Sequence, residues 1–164
     1  MSQLSAQSIR RLCQADPPLI TPFVGEKTVV NGKSYGLSAA SYDVRIAHKL
    51  TLLCGESALA HTVEDFWLPD NVVGYVVDKS TWARRHVTAF NTLLDPGWHG
   101  NLTLELVNLG HTPVAIMAGD PIVQIAFHWL DEPTDTVYAG KYQNQTAAAH
   151  GPRHENEDGS WRQL

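Results

Sequence analysis

NLTLELVN, residues 101–108, sets leucines at every second position. A period of two is a strand and not a helix, so Leu102, Leu104 and Leu106 share one face while Asn101, Thr103, Glu105 and Val107 share the other. PIVQIAFHW (121–129) repeats the pattern: Val123, Ile125, Phe127 and Trp129 lie opposite Ile122, Gln124, Ala126 and His128. Working outward, SYDVRIAHKLTLL (41–53), NVVGYVVD (71–78), VTAFNTLL (87–94) and PVAIMAG (113–119) are further short apolar segments rich in β-branched residues, with turn residues between them. VVNGKSYG (29–36) carries the Asn-Gly pair that favours a tight hairpin turn. This spacing predicts a mainly β domain, a sandwich or a barrel.

Helical signals are confined to the N-terminus. Ser5 is placed as an N-cap, Leu4 and Ile9 stand at the two ends of a hydrophobic staple, and Asp16-Pro17-Pro18 stops the helix. No segment after residue 18 shows a helical period. From Gln143 onward the chain is polar, which predicts a core domain over 1–145 and a flexible C-terminal arm over 146–164.

A chain of 164 residues, 43% hydrophobic, supports one sizeable core. No apolar run approaches the ~18 residues of a membrane span, and MSQLSAQSIRR lacks the basic-then-apolar order of a secretory signal, so a soluble, cytoplasmic protein is predicted. Cys13 and Cys54 belong to no C-x-x-C unit and read as buried free thiols. A net charge of −5 argues against a nucleic-acid partner, so any anionic ligand must meet a local positive cluster. DKSTWARRH (78–86) is such a cluster: Lys79, Arg84, Arg85 and His86 accompany the hydroxyls of Ser80 and Thr81, a combination that offers charge and directional donors to phosphate oxygens. Taken alone it reads as solvated surface, as does a mid-strand Glu105 or Gln124.

Four blocks taken together carry more: SYDVRI (41–46), DKSTWAR (78–84), NTLLDPGWHGNLTLELVN (91–108) and YAGKYQNQ (138–145), with FWLPDNVVGY (66–75) as a lead-in. In this order they resemble the dCTP deaminase and dUTPase superfamily, and more closely its deaminase branch. The resemblance implies a distorted β-barrel or jelly roll with little helix, assembled as a homotrimer with active sites between subunits. It implies Glu105 as the catalytic glutamate that takes and returns a proton, with Ser80 and Arg84 orienting the attacking water and compensating charge. Lys79, Thr81, Lys141, Gln145 and Tyr138 match triphosphate contacts. Asp95 matches the residue that holds the sugar 3′-hydroxyl, Trp98 the aromatic that packs on deoxyribose, and Thr103 and Leu104 the base pocket. Gln124 resembles the glutamine of the branch whose members also hydrolyse the product to dUMP and pyrophosphate. The family is often inhibited by dTTP.

Zinc is not expected, because the chain has neither H-x-E nor P-C-x-x-C. Mg²⁺ arriving on the triphosphate fits better, since it keeps its waters and bridges phosphates. Two departures stand out: Lys79-Ser80-Thr81 replaces the usual Arg-Ser-Ser, and HVTAFNTLLD (86–95) precedes Pro-Gly. Three readings follow. The first is a dCTP deaminase producing dUTP and ammonia. The second is a dUTPase or bifunctional enzyme in which Asp95 directs water at the α-phosphate; the retained glutamate favours the first over it. The third is a non-catalytic nucleotide-binding regulatory module.

Overall fold

A computed structural model describes residues 2–163. The chain opens with β1 (Ser2–Gln3) and α1 (Ala6–Cys13). Ser5 is the N-cap, in extended backbone, but its side chain makes no capping bond. The helix start is fixed by the staple instead: Leu4 and Ile9 are both buried in the core, each worth about 1.5–3 kcal/mol of apolar transfer. Then come β2 (Ile20–Thr21), β3 (Thr28–Val30) and β4 (Lys33–Leu37). Between β3 and β4, Asn31 (φ 49°) and Gly32 (φ 72°) both adopt positive φ, the two-residue turn that the Asn-Gly pair predicts.

The strands β5 (Tyr42–Arg45), β6 (Leu50–Leu52), β7 (Ser57–Trp67) and β8 (Val72–Asp78) lead to a single-turn helix α2 (Ser80–Ala83), too short to leave a periodic trace in sequence. After it come β9 (Val87–Ala89), β10 (Leu93–Leu94), β11 (His99–Asn108), β12 (Val114–Ile116) and β13 (Pro121–Trp129). The polar tail carries a hairpin of β14 (Arg153–Glu155) and β15 (Trp161–Gln163).

All strand pairs are antiparallel, in one seven-stranded sheet ordered β10-β8-β13-β5-β4-β3, with β1 on β13, one four-stranded sheet ordered β2-β7-β11-β9, and the two-stranded pairs β6–β12 and β14–β15. The two sheets enclose one apolar core, a jelly-roll-like arrangement that agrees with the β architecture expected from sequence. The parity of β11 and β13 holds: Leu102, Leu104, Leu106, Val123, Ile125 and Phe127 are buried. Facing Leu104 and Leu106 across the pair are Ala60 and Ala58, small side chains that leave room for the leucines. Cys13 is half-buried, and burial pushes its thiol up to about 12; Cys54 is exposed, contrary to the expectation of two buried thiols. Among the described residues no helix is long and apolar enough to cross a membrane.

Candidate active site

β7, the longest strand, escapes a sequence reading because its buried positions include His61, Thr62 and Glu64. The Glu64 carboxylate is held by Arg45 of β5, while Thr62 acts in the pairing with β11. The register slips between Asn101 and Thr103, and Thr62 repairs the irregularity: its hydroxyl accepts from Leu102 N (3.0 Å) and donates to the Glu64 carbonyl (2.6 Å). Asn101 Nδ2 donates to that same carbonyl at 3.1 Å. Beyond this bulge Thr103 and Glu105 face outward, opposite His61 and Leu59.

They face a cleft of about 330 Å³. Glu105, Asp95, Trp98, Thr103, Tyr138 and Gln145 all line it, so six of the residues singled out in the sequence converge on one place. Glu105 forms no ion pair among the described residues, and burial pushes its carboxyl above the ordinary glutamate range. Trp98 is almost fully buried, with its indole Nε1 donating to the Tyr142 carbonyl at 2.7 Å. Leu104 points into the apolar core, so of the Thr103–Leu104 pair only Thr103 presents its side chain to the cleft.

The glycines of DPGWHG are explained by the chain that crosses them. Gly100 has φ 136°, and a Cβ there would lie 2.6 Å from Gln145 N; Gly97 has φ 80°, and a Cβ there would lie 2.6 Å from Val137 Cβ. Residues 143–145 run directly over this turn. Gln143 Oε1 accepts from His99 N (2.9 Å), its Nε2 donates to the Gly97 carbonyl (2.8 Å), and the Gln145 carbonyl accepts from Asn101 N (3.0 Å). Thr103 Oγ1 donates to Gln145 Oε1 (3.3 Å) and accepts from His150 N (3.2 Å), which ties the arm to the cleft wall. Tyr142, His150 and Pro152 complete that wall, with Leu59, Thr92 and Leu93 opposite. None of these was singled out in the sequence. Tyr142 was within reach, since it lies inside GKYQNQ, whereas Leu59 requires the β7 register.

The remaining candidates lie elsewhere. Ser80, Thr81 and Arg84 are exposed on α2, and none lines the cleft of its own chain. Three contacts anchor that turn. Trp82 is buried, its Nε1 donating to the Pro121 carbonyl. Asp78 accepts from Thr88 Oγ1 (2.6 Å) and Ala89 N (2.9 Å). Lys79, almost fully buried, donates to Asp43 Oδ2 at 2.7 Å, so its ammonium is held inside the fold by a carboxylate. Gln124 bridges Ser41 Oγ (3.3 Å) and the Asp78 carbonyl (3.0 Å), behind α2. Lys141 is half-buried, its Nζ 5.6 Å from the Tyr142 ring centroid.

The model of a dCTP deaminase-like family matches residues 40–130, more than half of the chain. The chain belongs to the dCTP deaminase-like family. Among its curated relatives is a protein named dCTP deaminase from Pyrococcus furiosus, 38% identical over 130 residues, 79% of either chain. Another dCTP deaminase, from Herpetosiphon aurantiacus, is 32% identical over 89% of this chain and 96% of its own. In solved structures the fold is similar to that of a Staphylococcus bacteriophage 80alpha dUTPase (TM-score 0.55, 17% identity, 73% of this chain and 94% of that one) and to the EIAV dUTPase (TM-score 0.52, 16% identity, 62% and 84%). The family match covers α2, Asp95, Trp98 and Glu105; Tyr138, the crossing residues and the hairpin lie beyond it.

Proposed function

We propose that this protein is a dCTP deaminase, hydrolysing dCTP to dUTP and ammonia in pyrimidine deoxynucleotide metabolism in the cytoplasm. The observation that carries the reading is a strand glutamate with no ion pair among the described residues and with its carboxyl raised by burial, in the same cleft as Asp95 and Trp98. Deamination needs such a group, because a single site must take a proton and later return it. In this mechanism Glu105 accepts a proton from water as its oxygen bonds to C4 of the base, and passes that proton to N3. The remaining hydroxyl proton then moves through the same carboxylate to the exocyclic amine; the C4–N bond breaks, ammonia leaves and the C4 carbonyl forms. Asp95 accepts from the sugar 3′-hydroxyl, and Trp98, fixed by its bond to Tyr142, packs on the deoxyribose.

Ser80, Thr81 and Arg84 stand exposed on an anchored turn outside their own cleft, which supports a homotrimer in which one protomer's α2 completes the neighbouring cleft. Light scattering of the purified protein tests this; a monomer mass would sink it. Lys79, held by Asp43, serves the phosphate site as the anchor of that turn. The segment 146–164 acts as the arm that closes the cleft behind the nucleotide. Among the described residues no group of three or more His, Cys, Asp or Glu is placed to hold a metal ion, while two carboxylates, Asp95 and Glu105, line the cleft. Mg²⁺ carried in by the triphosphate would need no such group, since it keeps its waters and would neutralise phosphate charge.

The test is to incubate the protein with dCTP and Mg²⁺, and separately with dUTP, and to measure ammonia and pyrophosphate. Ammonia from dCTP is expected. Pyrophosphate accompanying it would add the bifunctional activity, with Asp95 directing water to phosphorus. Pyrophosphate from dUTP without ammonia from dCTP, or no product from either, would overturn the deaminase reading.

A further inference from the structure

Glu105 has a large apolar residue beside it on each side of its strand. In the β7–β11 register it pairs directly with Leu59. On the other side Leu106 pairs with Ala89 of β9, and Phe90 N donates to the Glu105 carbonyl at 3.0 Å, which carries that register one residue further and sets Phe90 opposite Glu105. Residues paired across antiparallel strands share a face, with Cβ atoms about 4.5–5.5 Å apart. The alternation of burial agrees: Val87 and Ala89 are buried, whereas Leu59 is 43% and Phe90 63% exposed.

Both residues run against the pattern of an outward strand face, where polar side chains are expected. Ser57 and His61 flank Leu59 on the same side of β7, and Thr88 precedes Phe90 on the same side of β9. Neither Leu59 nor Phe90 belongs to the apolar core, so core packing does not account for them. Apolar side chains next to a carboxylate displace its water, and lost solvation disfavours the charged form. The raised carboxyl of Glu105, with burial as its leading cause, agrees with this effect. The charged and titratable groups around Glu105 offer no equivalent. The cleft walls bring Asp95, Tyr138, Tyr142 and His150, and β7 brings His61. A second cavity that Leu59 also lines brings His48 and Lys49, and Asp78 beside β9 is committed to Thr88 and Ala89. Among the described residues none of these forms an ion pair with Glu105.

We propose that Leu59 and Phe90 are positioning residues for the reaction: from the two neighbouring strands they keep water off the flanks of the Glu105 carboxylate and leave its cleft side open, so that a proton passed to it is held until the base takes it. This rests on the proton-transfer role given to Glu105 above, and it assigns the dryness of that carboxylate to two residues that touch neither phosphate nor sugar.

The test is an NMR titration of the Glu105 side-chain carboxyl in nucleotide-free protein, its signal identified by its loss in Glu105→Gln. Leu59→Thr and Phe90→Thr keep strand-forming residues while removing the apolar bulk. Each should move the Glu105 titration down toward the ordinary value of about 4.3, by roughly half a pH unit to one unit, and the double variant further. Leu59→Met, which stays apolar, should leave it in place. The acid limb of kcat/KM for dCTP should move down with the titration, and kcat on the plateau should fall because a weaker base accepts the proton. A Glu105 titration unchanged in both single variants would overturn the proposal. So would a downward shift in Asp95→Asn with none in Leu59→Thr or Phe90→Thr, which would assign the effect to the neighbouring charge. If one single variant fails to fold, the other decides alone. Because the titration needs no nucleotide, a protein that leaves dCTP unchanged would sink the deaminase reading while the titration still decides the part played by Leu59 and Phe90.

Discussion

Two sets of carboxylates sit in low-dielectric surroundings in this molecule, and they are treated in opposite ways. Inside the fold, Glu64 accepts from Arg45 Nε (2.7 Å) and Arg45 N (2.9 Å), and Asp120 accepts from Lys33 Nζ (3.1 Å), Asn31 Nδ2 (3.1 Å) and Met117 N (3.0 Å). In the cleft, Glu105 and Asp95 enter no ion pair among the described residues. Burial raises the carboxyls of both Glu64 and Glu105, but the oxygens of Glu64 are committed to donors while those of Glu105 face open space. A satisfied buried carboxylate fixes strands; an unsatisfied one at a cleft wall is free to exchange a proton.

The contrast is broken most directly by Glu105→Gln. Deaminase kcat should fall by about 10²–10⁴, the usual contribution of a general acid–base group, with dCTP binding largely retained by titration. Retained turnover would remove Glu105 from the proton-transfer role. In the unaltered enzyme Glu105 must be ionised to take a proton from water, so the acid limb of kcat/KM should lie above the ordinary glutamate value of about 4.3. The stability sign is opposite to that of activity. A carboxyl whose folded pKa is raised costs the fold its full penalty above that folded pKa, and nothing below the unfolded pKa. Glu105→Gln should therefore melt higher than the wild type at pH 8, with the difference closing as the pH falls toward 4.

Arg45→Met attacks the other set. It leaves Glu64, fully buried, with only the backbone N–H of residue 45 as a donor to its carboxylate, a loss of about 3–5 kcal/mol by denaturant unfolding. Replacing both partners by apolar residues should restore much of it, because the cost lies in the orphaned charge. Equal destabilisation in the single and double variants would show that the pair acts through packing.

The same contrast explains what the sequence makes legible. Leu102, Leu104 and Leu106 announce β11 because apolar transfer selects one face, and parity then delivers Glu105 to the other; Asn31-Gly32 announces its turn because few residue pairs tolerate positive φ. β7 is silent because its inward Thr62 and Glu64 are polar groups whose partners, Leu102 and Arg45, lie far off in sequence. The one-turn α2 is silent for want of length, although its contents, Ser80 through Arg84, are recognisable as a block. Lys79 illustrates the limit: its basic cluster taken alone reads as solvated surface, and only the packing of Asp43 against it reveals an internal ion pair.

The smallest effects belong to the arm, and they sharpen the comparison by separating charge from closure. Truncation after Gly140 removes Tyr142, whose carbonyl holds Trp98, and Gln143 and Gln145, which cross the Gly97–Gly100 turn. Its KM for dCTP should rise more than that of any single arm variant. Lys141→Met removes one charge and keeps the methylene stem against Tyr142. Because this ammonium is half-exposed, solvent screens it and its share is modest, about 0.2–1 kcal/mol, so KM should rise only about 1.5- to 5-fold with kcat unchanged. A fall in kcat as well would mean that Lys141 reaches the reacting base, not the phosphates. An unchanged KM in Lys141→Met beside a raised one in the truncation would assign the arm's effect to closure by Tyr142, Gln143 and Gln145, and take Lys141 out of the phosphate site.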